Sequence, residues 1–411
     1  MRFLLAVGPV LLSIGTGSAQ NAAELASEPA IQAALQAAKR NAAHFVSEQI
    51  RICEIPAPPF HEEARGRELE RLFRQLGLEN VRMDRAGNVI GVRPGAAPRP
   101  NVVLAAHLDT VFPEGTDVRV SQTGTLLKGP GIGDDCAGLA ALLNTIQSLQ
   151  DAGVKTFGSL TFVADTGEEG LGDLRGMKEL FGVTLKDRID DFISIDGEAL
   201  RIVNTSVGSY RYRVTFKGPG GHSFGAFGLA NPIQAMGRAI AKIDALEVPA
   251  APKTTFNVGR VGGGTSVNAI PAECWMEVDL RSSDKASLEA LHAKVKAAVA
   301  EAVREENQRW KNRGAASAAF EQAGYRPPGV TAADSNLVRT ALAVTRLFGE
   351  PGPLGESSTD ANLPMSLGIP AITIGSGGSG QGAHSPEESY DTRDAYLGAQ
   401  RALLLVVALT R

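Results

Sequence analysis

Cysteine is scarce in this chain, with Cys53, Cys136 and Cys274 the only three in 411 residues. An odd, sparse set excludes a disulfide framework, and no Cys/His spacing suits a thiolate-bound metal. One bridge could form in an oxidising compartment, but the sequence does not say between which pair. Aromatic residues make up only 5%. Charge of neither sign dominates: 41 Lys and Arg stand against 45 Asp and Glu, a formal net charge of −4. That balance excludes the basic stripe of a nucleic-acid binder. Beyond the first residues no apolar run is long enough for a membrane span. Long internal repeats and extended low-complexity segments are absent too. What is plentiful is ordinary globular material. Apolar residues reach 43%, enough for a sizeable core, and many of the 46 glycines cluster where strands would end in tight turns. The length suggests two or three domains.

The N-terminus reads as an export signal. Arg2 is a small positive region, Phe3 to Ile14 an apolar run, and Gly17-Ser18-Ala19 a small-residue cleavage site. Residues 1–19 are therefore expected to be a signal peptide, and the mature protein periplasmic or secreted. A buried N-terminal helix is the competing reading.

Past the signal, Glu28 to Leu76 is rich in helix formers, broken by Ile55-Pro56-Ala57-Pro58-Pro59. Val102–Ala106, Leu160–Ala164, Phe192–Ile195 and Ala371–Ile374 are short apolar runs of the kind that buried parallel strands show. Leu139, Leu142, Leu143, Ile146 and Leu149 fall at helical spacing. Residues 20–205 and 326–411 thus read as an α/β domain with a mostly parallel sheet. Residues 206–325 differ. Tyr210–Phe216, Thr254–Val261 and Cys274–Leu280 read as strands, Asn231–Leu246 and Ser287–Trp310 as helices, in an order that suits a smaller inserted α+β domain. Gly375–Gly382 reads as a flexible loop.

The acidic and histidine residues recur at one kind of place. His107-Leu108-Asp109 follows the first of those strands, Gly133-Asp134-Asp135 precedes a helix, Glu168-Glu169 follows the second strand, Asp196 closes the third, and His384 follows the fourth. Ligands of open α/β sheets bind outside the carboxyl ends of the strands. Two histidines and several carboxylates suit zinc or a similar divalent ion. Two ions about 3.5–4 Å apart need a shared carboxylate, and an adjacent Glu pair can supply one ligand and one free base. Singly, each feature is an ordinary surface or capping motif. Together they point to a two-metal hydrolytic centre.

Ala106-His-Leu-Asp-Thr110, Gly129-Pro-Gly-Ile-Gly-Asp-Asp135, Thr166-Gly-Glu-Glu-Gly170, Ile195-Asp-Gly197, Gly220-Gly-His-Ser223 and Ala383-His-Ser-Pro386, in this order, resemble the M20 metallopeptidase family, on its peptidase T and carboxypeptidase G2 side. The resemblance spans nearly the whole mature chain. It implies a zinc-exopeptidase catalytic domain carrying an inserted lid or dimerisation domain, and two Zn2+ per chain, with Co2+ or Mn2+ as substitutes. By position it makes His107, Asp134, Glu169, Asp196 and His384 the metal ligands, Asp134 the bridge, Glu168 the general base, and Asp109 the partner that fixes the His107 tautomer. His222 would stabilise the oxyanion, reaching across a homodimer formed through the lid. Arg281 and Asn268 would face the substrate, Arg281 receiving a carboxylate. The implied substrate is a short peptide, such as a di- or tripeptide, or an N-acyl amino acid. One departure stands out: many members carry Lys shortly after the bridging Asp, where this chain has Cys136. A small buried residue at a helix start is the plain reading of Cys136; a free thiol next to zinc would be an adventitious ligand.

Two other functions compete. An M28-type aminopeptidase uses a similar ligand set, but the long insertion with Gly-Gly-His-Ser argues against it. A non-catalytic exported binding protein of this fold would be expected to lack a ligand or the base, and all are present.

Overall fold

A computed structural model describes residues 16–411. The expected signal at residues 1–19 lies outside the described residues except for its last four, which open helix α1 (Thr16–Ser27). Helices α2 (Pro29–Arg40), α3 (Ala42–Cys53) and α4 (Glu63–Gln75) follow, with the proline-rich break between α3 and α4. Strands β1 (Glu79–Met83) and β2 (Val89–Arg93) lead to β3 (Asn101–His107), and helix α5 (Cys136–Asp151) connects onward to β4 (Ser159–Asp165), β5 (Asp191–Ile195) and β6 (Ile202–Ser206).

The chain then leaves this sheet. Strands β7 (Gly208–Lys217), β8 (Thr254–Gly263), β9 (Glu273–Ser282) and β10 (Ser317–Arg326) form an antiparallel sheet in the order β8-β9-β7-β10. Helices α6 (Pro232–Asp244) and α7 (Lys285–Arg309) cover one face of it. Both helices are capped from the sequence: Asn231 accepts from the amides of Ile233 and Gln234, and Asp284 accepts from Ser287 at 2.7 Å. Alternation does the rest. Tyr212, Val214 and Phe216 point inward with Met276, Val278 and Leu280 onto Ala235, Ala239, Leu288 and Val295. The residues between them, Arg211 and Arg213 on β7 and Arg281 on β9, lie on the uncovered face.

Strands β11 (Gly329–Val330), β12 (Gly355–Ser357) and β13 (Ala371–Ile374) return to the first sheet, and helices α8 (Asn336–Arg346) and α9 (Tyr396–Leu409) pack on it. That sheet has nine strands in the order β1-β2-β4-β3-β5-β13-β6-β11, with β12 also on β6. Its centre is parallel: His107 of β3 stands opposite Asp165 of β4, Leu104 opposite Ile193 of β5, and Phe192 opposite Ala371 of β13. Both faces are buried, which is why these strands read as unbroken apolar runs. Val102, Leu104 and Ala106 meet Leu142 and Ile146 of α5 and Leu403 and Val406 of α9. Val103 and Ala105 point the other way, into a cluster with Phe192, Leu180 and Met177.

The mostly parallel sheet expected from the sequence is present, with antiparallel margins around its parallel centre. Two features depart from the sequence reading. The inserted sheet has a fourth strand, β10, which sequence patterning did not show. The segment Gly375–Gly382, expected to be a flexible loop, contains a strand, Ser379–Gln381, paired with Ser389–Asp391 in a hairpin that also joins Leu126–Lys128. Cys53 and Cys136 form a disulfide with their Cα atoms 5.6 Å apart, and Cys274 is buried and free. Cys136 is therefore half of a bridge, not a free thiol beside a metal.

Candidate metal centre

The carboxyl ends of β3, β4, β5 and β13 bring the predicted ligands together. His107 is the last residue of β3 and is almost fully buried. Its Nδ1 lies 3.0 Å from the carbonyl oxygen of Asp109, and its Nε2 lies 3.0 Å from Oδ1 of Asp134. His384 reaches in from the hairpin loop with its backbone in the left-handed region (φ 66°). Its Nε2 lies 3.2 Å from Oδ2 of Asp134 and 3.0 Å from Oε1 of Glu169. The two oxygens of Asp134 thus face one imidazole each. The ligand atoms of His107, Asp134 and Asp196 lie within 4.8 Å of one another, and those of Asp134, Glu169 and His384 do so as well. Asp134 belongs to both groups. Glu168 forms a further such group with His107 and Glu169.

Imidazole nitrogen and carboxylate oxygen are the donors that zinc-like divalent ions take. The charge balance fits too. Hydrogen bonds with Asp134 and Glu169 push His384 up to about 10. Burial acts to lower His107, but the bond with Asp134 and the charges of Asp135, Asp134 and Asp109 outweigh it and raise the group well above the usual imidazole range. Burial and the nearby Asp134 push Asp196 up to about 7. Carboxylates of Asp134, Glu168, Glu169 and Asp196 converge here on only two imidazoles, an anionic donor set that divalent cations complement.

Asp109 departs from its expected geometry. Its peptide carbonyl, not its carboxylate, meets Nδ1 of His107; the nearer carboxylate oxygen is 3.8 Å away. The buried carboxylate instead accepts from the amides of Gly167, Glu168 and Glu169 at 2.8–3.1 Å. It fixes the turn that presents the Glu pair. Asp135 is structural: its carboxylate accepts from the amides of His107 and Gly138, so it caps α5 and tethers β3.

Sequence reading missed Arg326. This residue ends β10, where the chain leaves the inserted sheet, and it is buried. Its guanidinium donates to Oε1 of Glu168 at 2.7 Å, to the Glu168 carbonyl, and to Ser358 Oγ. Burial raises the Glu168 carboxyl, and the Arg326 charge opposes that shift. Arg326, Arg281, Arg211 and Arg201 line a cavity of about 440 Å³ with Asp134, Glu168, Glu169, Asp196 and His384. Arg211 and Arg281 both hydrogen-bond Asp279, which orients the two guanidiniums. A larger groove, about 810 Å³, lies at the amino ends of the strands, lined by Arg82, Arg99 and Arg188; neither His nor carboxylate lines it.

His222 and Asn268 are not among the residues lining that cavity. They neighbour each other in the segment that carries the second, antiparallel sheet, where Gly221–His222 pairs with Ala269–Ile270 and the Ser223 amide donates to the Asn268 carbonyl. Both are exposed.

The profile of Peptidase family M20/M25/M40 matches residues 103–408, three-quarters of the sequence. The chain belongs to this family. It is 27% identical over 359 residues to the uncharacterized protein YqjE of Bacillus subtilis, covering 82% of this chain and 91% of that one. Among solved structures it resembles the aminopeptidase PepT of Bacillus cereus (TM-score 0.73, 23% identity, 90% of this chain and 99% of that one). It also resembles YXEP of Bacillus subtilis, described as a dinuclear metal binding peptidase from the M20 family (TM-score 0.67, 17% identity, 90% and 99%). The M20 chain is thus a metallopeptidase-type hydrolase with a mixed α/β fold and a mostly parallel central sheet.

Proposed function

We propose that this M20 chain is an exopeptidase of short peptides working with two divalent ions. The observation that carries the reading is the sharing of Asp134 between two ligand groups, His107 with Asp196 on one side and Glu169 with His384 on the other. Two Zn2+ held there would polarise the scissile carbonyl and activate a water. Glu168, buried against Arg326, takes the water's proton and returns it to the leaving amine. Arg281 and Arg211, oriented by Asp279, receive the substrate carboxylate. The exposed side chains of Phe224, Phe227 and Val267 around His222 support pairing of two copies through the inserted domain, which would bring His222 to the second copy's cavity as an oxyanion donor. The disulfide supports export to an oxidising compartment.

The test is a hydrolysis screen of Zn2+- or Co2+-loaded protein over free and end-blocked di- and tripeptides and N-acyl amino acids. Cleavage of free peptides is expected. Cleavage confined to N-acyl amino acids would move the reading to a deacylase of the same family, and no cleavage at all would overturn it. Glu168→Ala should lower turnover by roughly 10²–10⁴-fold with metal content unchanged; full activity in that variant removes Glu168 from its role.

A further inference from the structure

One segment delivers both a ligand and a clamp. His384 and Glu388 lie four residues apart in the hairpin loop between Ser379–Gln381 and Ser389–Asp391. Glu388 is 2% exposed and has no cationic partner among the described residues. Its carboxylate is turned onto the loop that precedes α5. Oε1 accepts from the amides of Gly133 at 2.7 Å and Asp134 at 2.9 Å, and Oε2 accepts from Gly131 at 3.1 Å. Its own carbonyl accepts from Gly129 at 3.0 Å. Four amides of the six-residue stretch Gly129–Asp134 therefore end on this one residue. The stretch has no regular secondary structure of its own to satisfy them, and unpaired buried amides are costly. The glycines allow the fit: a Cβ on Gly133 would stand 3.1 Å from Oε1 of Glu388.

We propose that Glu388 is a positioning residue of the metal centre, fixing the backbone that carries the shared carboxylate Asp134 and coupling it to the loop that carries His384. The inference rests on the two-ion reading above. A carboxylate is needed here because three amides converge on two oxygens. Glutamine offers one acceptor and turns an N–H₂ group toward an amide that also donates. Glu388→Gln thus keeps the volume and removes part of the clamp. Groups that orient first ligands typically matter by roughly 10–100-fold in metal affinity.

The experiment is a Co2+ titration of metal-free protein, read by visible absorption and by competition with a chromophoric chelator. Wild-type protein and the exposed neighbour variant Glu387→Gln should take up two ions alike. Glu388→Gln should bind at least one of the two roughly 10–100-fold more weakly, with an altered absorption band, and excess Co2+ should restore turnover. Wild-type affinity and spectrum in Glu388→Gln overturn the proposal. If circular dichroism shows that Glu388→Gln is unfolded, Gly133→Ala decides, since it pushes on the same carboxylate from the other side. Weaker binding of at least one ion in Gly133→Ala supports the clamp, and unchanged binding overturns it. Wild-type protein that binds no ions would instead overturn the metal-centre reading itself.

Discussion

Reduction of the Cys53–Cys136 bridge should destabilise the body built on the large sheet by several kcal/mol. The bridge ties the end of α3 to the first residue of α5, and both cysteines are fully buried. A second tie runs alongside, since Gln49 of α3 donates to the Ile132 carbonyl at 2.7 Å. The cysteines are 83 positions apart. In the chain-entropy treatment, closing a loop of that length removes about 15 cal/mol/K from the unfolded chain, or about 4.5 kcal/mol at 25 °C. For a body of about 280 residues, the unfolding entropy is roughly 0.6 kcal/mol/K, so the midpoint should fall by roughly 8 °C. The assay is calorimetry of the oxidised protein and of protein unfolded, reduced and refolded under thiol, both metal-free. Mapping of the non-reduced digest should link the peptides of Cys53 and Cys136 and leave Cys274 unpaired. A midpoint shift below about 2 °C, or a digest with three free thiols, would refute the reasoning.

The buried pair Arg326–Glu168 gives a second prediction. Arg326→Met leaves the Glu168 carboxylate buried without its counter-ion and should cost about 3–5 kcal/mol in denaturant unfolding at neutral pH. Adding Glu168→Gln should recover much of that loss; a double variant as unstable as the single one contradicts the pairing. Asp191 gives a pH-dependent prediction. Burial, helped by the adjacent Asp190, pushes its carboxyl up to about 6 from 3.8. A carboxyl raised on folding costs stability above its unfolded pKa, with the cost growing from about pH 4 to about pH 6 and constant beyond. Asp191→Asn should therefore stabilise by about 2–3 kcal/mol at about pH 8 and by almost nothing at about pH 3. Denaturation midpoints at the two pH values check this, and an equal shift at both would show a cause other than ionisation.

The parallel centre of the large sheet was legible because both of its faces are buried, so Val102–Ala106 and Ala371–Ile374 stand out as apolar runs. Of the candidate ligands, His107 and Asp196 directly follow such runs and Glu169 lies just behind one. Asp134 precedes α5 and His384 stands in a loop, so those two were marked by the family resemblance. The missed elements lack that contrast. Strand β10, Ser-Ala-Ala-Phe-Glu-Gln-Ala-Gly-Tyr-Arg, holds three alanines and a glycine and lies at a sheet edge, so neither period nor propensity marks it. The glycine-rich Gly375–Gly382 suggested mobility, yet pairing across the hairpin orders its Ser379–Gln381 part. Contacts that span the chain were hidden for another reason. Glu388 meets Gly133 from 255 positions away, and Arg326 meets Glu168 from 158. Nothing local distinguishes those two from other charged residues. The pairing of Cys53 with Cys136 was equally out of reach, since it depends on how α3 packs against α5.

Asp109 divides its work between two chemically separate halves, and that has a consequence for mutagenesis. The half that orients His107 is a peptide carbonyl, which substitution of the side chain leaves in place. The half that mutation removes is the carboxylate that moors the turn bearing Glu168 and Glu169. An alanine scan would therefore report a defect at position 109 and invite its assignment to the imidazole, whose hydrogen bond to the main chain is untouched. For library design the same split is useful. Codon 109 offers a way to vary how the Glu168–Glu169 turn is held while the backbone contact to the neighbouring ring is inherited unchanged from the main chain.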